Sequence, residues 1–145
     1  MASSFSIIAS VTDKGRSALA DLLESGVAFT VTHFVTGGGG HDVGDPNVAL
    51  TPEPALITLP GATFGPKAIS DKDLVTAFCV EYVCELDFLE AVGNLSNIGL
   101  IATYTYSPIP SDPIVGTTFL FAVGNSPLVV KTDAEQRVMR IQVEI

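Results

Sequence analysis

His33, His41, Asp42 and Asp45 are the one group in this chain whose types and proximity suggest a metal site or an acid–base pair. The histidines are eight residues apart, one in an alternating segment and one beyond a run of glycines. They lack the HxH or HExxH spacing that brings two imidazoles onto one ion. A strand histidine and a solvated loop histidine are the better reading. Gly37, Gly38, Gly39 and Gly40 invite a phosphate loop, but no Lys-Ser or Lys-Thr follows, and the dinucleotide pattern is not completed. Ser126 follows Gly124 at the right interval for a nucleophile, yet Pro127 breaks the G-x-S-x-G frame. Glu81, Glu85, Asp87 and Glu90 could supply the two carboxylates of a glycosidase, and Glu81 and Glu85 share a strand face. With no tryptophan to stack a sugar, a solvated face is the simpler account. We expect no enzyme, no cofactor and no metal.

Composition narrows the class further. The chain of 145 residues has the size of one domain, spanning residues 1–145. Hydrophobic residues make up 47% against 16% charged, and the mean hydropathy is +0.44. Such an apolar balance points to contacts between chains. No run reaches the roughly 18 apolar residues of a spanning helix, so no membrane insertion is expected. A net charge of −9, with the basic residues dispersed, argues against nucleic acid. The opening MASSFSIIAS lacks the features of a secretory signal, which places folding in a cytoplasm. Cys79 and Cys84 are five apart in a segment read as a strand, on opposite faces and about 16 Å apart, beyond disulfide reach.

The elements that would position these residues read mainly as strands. Phe5–Val11 is a first strand, and a helix follows, capped by Thr12 or Asp13, with Ala18, Leu19, Leu22 and Leu23 on one stripe and Gly26 at its end. Gly15 weakens its first turn slightly. Ala28–Thr36 alternates and must stop at Gly37, where four glycines mark an irregular or mobile turn. Gly40–Pro54 reads as a long loop and Ala55–Leu59 as a short strand. Pro60–Pro66 is a turn-rich connection, and Leu74–Leu86 the longest strand. Gly93–Asn94 is a turn, Ile98–Tyr106 a strand, Ser107–Pro113 a second loop and Gly116–Val123 a strand. Gly124–Pro127 is then a tight turn, and Arg137–Ile145 an alternating final strand. The fold class is mainly β (α+β): antiparallel sheets, sandwich-like, with one N-terminal amphipathic helix.

Three blocks in order, TDKGRSALADLL (Thr12–Leu23), VTHFVTGGGG (Val31–Gly40), and NIGLIATY with LFAVGNSP (Asn97–Tyr104, Leu120–Pro127), followed by an alternating strand, resemble one family. It is the N-terminal, baseplate-attaching region of phage tail-collar fibre proteins from contractile-tailed bacteriophages. Gly37–Gly40 match that family's glycine turn, Asn97–Leu100 its IGLY-like segment without the tyrosine, and Ala122–Asn125 its AVGN turn. The tryptophans usual before the IGLY-like segment are absent. The family continues into a long fibre where this chain stops at Ile145, which suggests a free-standing adaptor or baseplate component, the alternative being a fibre's N-terminal anchor.

The resemblance implies a structural virion protein that joins tail fibres to the baseplate, assembled in the host cytoplasm. Its implied partners are a baseplate wedge protein and a tail-fibre protein, and its implied state is a homotrimer. The expected protein interface comprises Gly37–Gly40 and the apolar residues Phe119, Phe121, Met139, Ile141, Val143 and Ile145, packing within the subunit or between subunits. The loops Gly37–Pro54 and Ser107–Pro113 would meet partners. Replacing Val143 and Ile145 by Asp is expected to abolish assembly and leave a folded monomer. The alternatives are a carbohydrate-binding receptor-recognition module at the tail tip and, behind it, a hydrolase of surface polysaccharide.

Overall fold

The computed structural model describes residues 2–144, with side chains from Ser4 to Glu144. Strand β1 (Ala2–Val11) runs into helix α1 (Asp13–Ser25) through Thr12. The Thr12 hydroxyl accepts the Gly15 N–H at 3.0 Å and donates to the Leu120 carbonyl at 2.7 Å. One buried side chain thus caps the helix and ties its start to the sheet. Gly15 is part of that seam, since a Cβ there would collide with the Phe121 carbonyl and the Val11 side chain. The helix ends at Gly26, whose left-handed φ of 78° lets its N–H reach the Leu22 carbonyl.

Seven strands follow: β2 (Ala28–Gly37), β3 (Ala62–Ala68), β4 (Asp71–Thr76), β5 (Cys79–Leu86), β6 (Gly93–Tyr106), β7 (Thr118–Lys131) and β8 (Gln136–Glu144). They form one sheet in the order β3-β2-β6-β7-β1-β8-β5-β4. Every pair is antiparallel except β1 with β8, which run parallel from Ala2 opposite Gln136 to Ala9 opposite Val143. The expectation of purely antiparallel sheets is therefore corrected to a mixed sheet. β1 makes the switch: its last residues, Ser10 and Val11, turn to pair with Val123 and Ala122 of β7.

Several boundaries differ from the sequence reading, each for a local reason. Leu74–Leu86 is a hairpin, because the chain turns at Ala77–Phe78, where the Phe78 N–H binds the Thr76 hydroxyl at 3.2 Å. No glycine or proline marks that turn. Ala55–Leu59 forms turns instead of a strand, while β3 continues through Gly65 and Pro66 at the sheet's margin, the two bulging opposite Val35. β6 already begins at Gly93. β7 continues through Pro127, because Ser126, Pro127 and Leu128 stand opposite Ser96 alone, a bulge that needs no N–H from proline.

β3 and β4 are the two outermost strands, yet only Ile69 and Ser70 separate them in the chain. Ala68 and Asp71 can be at most about 11 Å apart, so the sheet curls until its margins meet. Ile69 donates its N–H to Thr32 of β2 at 3.1 Å, and Ser70 to Val83 of β5 at 2.8 Å. Inside the curl, Ile7, Met139, Ile141, Cys84 and Leu86 share a core with Phe34, Leu100, Ala102 and Phe121. A smaller cluster of Leu59, Leu120 and Val123 covers the other face of β6 and β7, packed with Leu56. Those two strands are apolar on both faces because both faces are covered.

Candidate functional site

The residues that could have carried chemistry are dispersed, and most are bonded within the chain; Glu85 is exposed. The His33 Nδ1 lies 2.8 Å from the Thr32 hydroxyl, within β2. His41 is half-buried, not solvated, and its Nδ1 lies 2.8 Å from the Ser96 hydroxyl. Ser96 is fully buried, so this Ser–His contact has no access to a substrate. Asp42 and Asp45 accept the N–H groups of Gly44 and Asn47, two residues on, and shape their own loop. Among the described residues no three His, Cys, Asp or Glu side chains converge as metal ligands. Glu81 accepts from Arg140 at 3.1 Å and from Gln142 at 3.2 Å. Cys79 and Cys84 are buried and unpaired, and burial pushes the Cys84 thiol up to about 12.

The glycine run is a packed crossing. A Cβ on Gly37 would strike the Gly61 carbonyl, one on Gly39 the Pro60 carbonyl, and one on Gly40 the Ser96 carbonyl. None of the four has a positive φ. Glycine is required here for close backbone approach, not for an unusual conformation. The following loop is anchored as well: His41 bridges Ala49, the Leu50 N–H binds Gly40, and the Leu128 N–H of β7 binds Pro46. Gly37 and Gly40 are buried within the protomer, and Gly38 and Gly39 are half-covered.

The apolar residues of the closing strands are not at the surface either. Phe119, Phe121, Met139, Ile141 and Val143 are all buried in the chain's own core, Val143 at 1% exposure. Phe29, Tyr104, Phe119 and Phe121 stack as one aromatic cluster with centroids 4.9 to 6.5 Å apart. Ile145 lies outside the described residues. The second loop, Ser107–Pro113, is closed by the Ser107 hydroxyl donating to Asp112 at 2.9 Å.

A polar knot, not read from the sequence, holds the turn after β5. Lys131 is fully buried, and its ammonium donates to the carbonyls of Asp87 (2.8 Å), Phe88 (3.1 Å) and Thr132 (3.3 Å). Glu90 takes the Lys67 ammonium and the Asp87 N–H on one oxygen. The Gln136 amide donates to Asp87 at 2.8 Å. These bonds hold three carboxyls below their usual range: Asp87 through Gln136, Glu90 through Lys67, and Glu135 through the Thr132 N–H.

What the fold does expose is a different apolar set. The β4–β5 hairpin presents Leu74, Val75 and Phe78, the last 72% exposed at the turn. Every residue of β4 is exposed. Ile8 of β1 is also bare, beside a groove of about 420 Å³ lined by Ala9, Val11, Leu19, Arg16 and Glu144. Glu144 is in register with Cys79, next to Phe78, so hairpin tip and groove lie at the same end of the molecule. The signal in the sequence was the apolar density of Leu74–Val80, which reads equally well as core. No family model, curated protein or solved structure matches this chain.

Proposed function

We propose that this protein is a structural component of a bacteriophage tail that joins tail fibres to the baseplate, working as a homotrimer with a baseplate wedge protein and a tail-fibre protein as its partners. The reading rests on the order of the tail-collar-like segments, which fall on α1, β2, β6 and β7, the helix and the strands it packs against or near. The observation that carries a binding role is the bare β4–β5 hairpin. Leu74, Val75 and Phe78 together offer an apolar surface of the kind that marks contact sites. The curled sheet acts as a sandwich-like rigid body whose margins and hairpin meet other subunits, and the mechanism is passive. Its place is the virion, after assembly in the host cytoplasm.

A carbohydrate-binding role would call for aromatic side chains gathered on one platform. Of the exposed aromatics Phe78, Phe88 and Tyr106, the first two stand beyond opposite ends of the eight-residue β5, separated by about 25 Å of strand, and Tyr106 ends β6. The test is light scattering after size exclusion, on the chain alone and mixed with candidate baseplate and fibre proteins. A trimer, or a complex formed only with those partners, is expected. A monomer that ignores both overturns the proposal, and a glycan array then becomes the next measurement.

A further inference from the structure

The curled sheet does not close completely. β3 pairs with β2 only from His33 to Gly37, and the chain then leaves at Ile69 for β4. The earlier half of β2, Ala28–Thr32, has β6 on one side and no strand on the other. Across from it runs β4, which pairs only with β5. Between the two margins lies an open groove of about 310 Å³ lined by Thr30, Val31, Thr32, Ser70, Asp71 and Lys72. Ile69 and Ser70 seal one end. Among the described residues the one side-chain tie across it is Lys72, whose ammonium reaches the Thr30 hydroxyl at 3.2 Å. Paired strands lie about 4.8 Å apart and are joined by a ladder; here a lysine side chain takes the place of that ladder.

The main chain facing this groove is unsatisfied. Tyr104 donates its N–H to the Thr117 carbonyl at 3.0 Å and accepts the Gly116 N–H at 2.8 Å, so its backbone groups face away from β2. Its neighbour Thr103 therefore faces β2, where its register partner is Thr30. By the same alternation Phe29 and Val31 direct their N–H and C=O to the side away from β6, Val31 into the groove and Phe29 just beyond its lining. Among the described residues nothing pairs with them there. Val31 is itself buried at 5% exposure, which makes unpaired backbone groups costly.

We propose that the groove between β2 and β4 is a strand-acceptor site, completed by an extended segment of another polypeptide that runs antiparallel to β2 in line with β3. Backbone N–H and C=O groups at strand spacing select a backbone as their partner. The flanking side chains set the pattern of the guest. Lys72 and Leu74 share rows with Tyr82 and Val80, on the core side, while Asp71 and Asp73 lie on the other face. The guest therefore alternates apolar residues, which cover Leu74, with basic residues, which meet Asp71 and Asp73. The inference goes beyond the phage reading and stands whether or not the donor is a virion protein.

The test uses the ¹⁵N-labelled chain and the synthetic peptide Ac-KVKVKVK-amide, with hydrogen exchange read residue by residue. In the free chain the Phe29 and Val31 amides should exchange roughly 100-fold faster than that of Thr30, although all three lie in one strand. The peptide should slow them by about tenfold or more, while a version N-methylated along one edge should not. Asp71→Lys with Asp73→Lys should weaken the peptide about tenfold while leaving the free chain's spectrum outside β4 and its partner β5 unchanged. Equal protection of Phe29, Val31 and Thr30 in the free chain would overturn the proposal. So would unchanged exchange at millimolar peptide, or equal action by the N-methylated version.

Discussion

Gly40 and Ser96 meet backbone to backbone: the Ser96 hydroxyl accepts the Gly40 N–H at 2.8 Å, and the Ser96 carbonyl occupies the space a Gly40 Cβ would need. Gly40→Ala should therefore cost about 2–3 kcal/mol through forced movement of a packed crossing. Gly44→Ala, four residues on and in open surroundings, should stay within about 0.5 kcal/mol. Urea unfolding of the two variants makes the comparison.

The exposed and buried apolar residues should part company on mutation. Val143→Asp places a carboxylate in the core and should destabilise the fold by at least about 3 kcal/mol, which corrects the expectation of a folded but unassembled monomer. Phe78→Ser combined with Leu74→Ser should leave the melting temperature nearly unchanged and reduce complex formation in light scattering. Unchanged assembly would remove the hairpin from the interface.

Lys131→Met should leave three carbonyls short of a donor at the turn after β5. Stability should fall by about 1–3 kcal/mol. The loss should concentrate as faster hydrogen exchange over residues 87–90.

Acid should loosen the same region first. Asp87, Glu90 and Glu135 all have folded-state pKa values below their unfolded ones. Their contribution is therefore present above the ordinary carboxylate pKa of about 4 and is lost as pH falls through the depressed folded values. Unfolding free energy should decline in that window, and Asp87→Asn should flatten the decline.

Cys84, with its thiol pushed up to about 12 by burial, should resist iodoacetamide at pH 8 in the native chain and react once denaturant is added. Fragmentation mass spectrometry of the tryptic peptide 73–131, which carries both Cys79 and Cys84, reads the two thiols separately.

Much of the secondary structure could be read from the residues themselves. Thr12 and Gly26 bracket α1 because capping chemistry is local, and β2 ends at Gly37 as its alternation indicates. What could not be read depends on distant partners. The turn at Ala77–Phe78 carries no turn residue, and Pro127 is accommodated only because a bulge forms opposite Ser96. His41 looked solvated because Ser96 lies 55 residues away. The glycine run suggested looseness, yet its need for glycine comes from the carbonyls of Pro60, Gly61 and Ser96. Strand alternation separates two faces without saying which one the chain itself will cover. Packing of Phe119, Phe121, Met139, Ile141 and Val143 within the subunit or between subunits is therefore open on the sequence, and the structure buries them within the chain.

The parallel pairing of β1 with β8 has a consequence for biosynthesis. Ala2–Ala9 finds its partner only in Gln136–Val143, the last strand of the sheet. As the chain leaves the ribosome, Ala2–Ala9 waits through the synthesis of every other strand with its main chain unpaired, and only Ser10 and Val11 can pair earlier, with β7. Long-range closure of this kind is slow and leaves intermediates that associate readily. Nascent chains halted before residue 136 should consequently be the form most dependent on chaperones and most prone to aggregate.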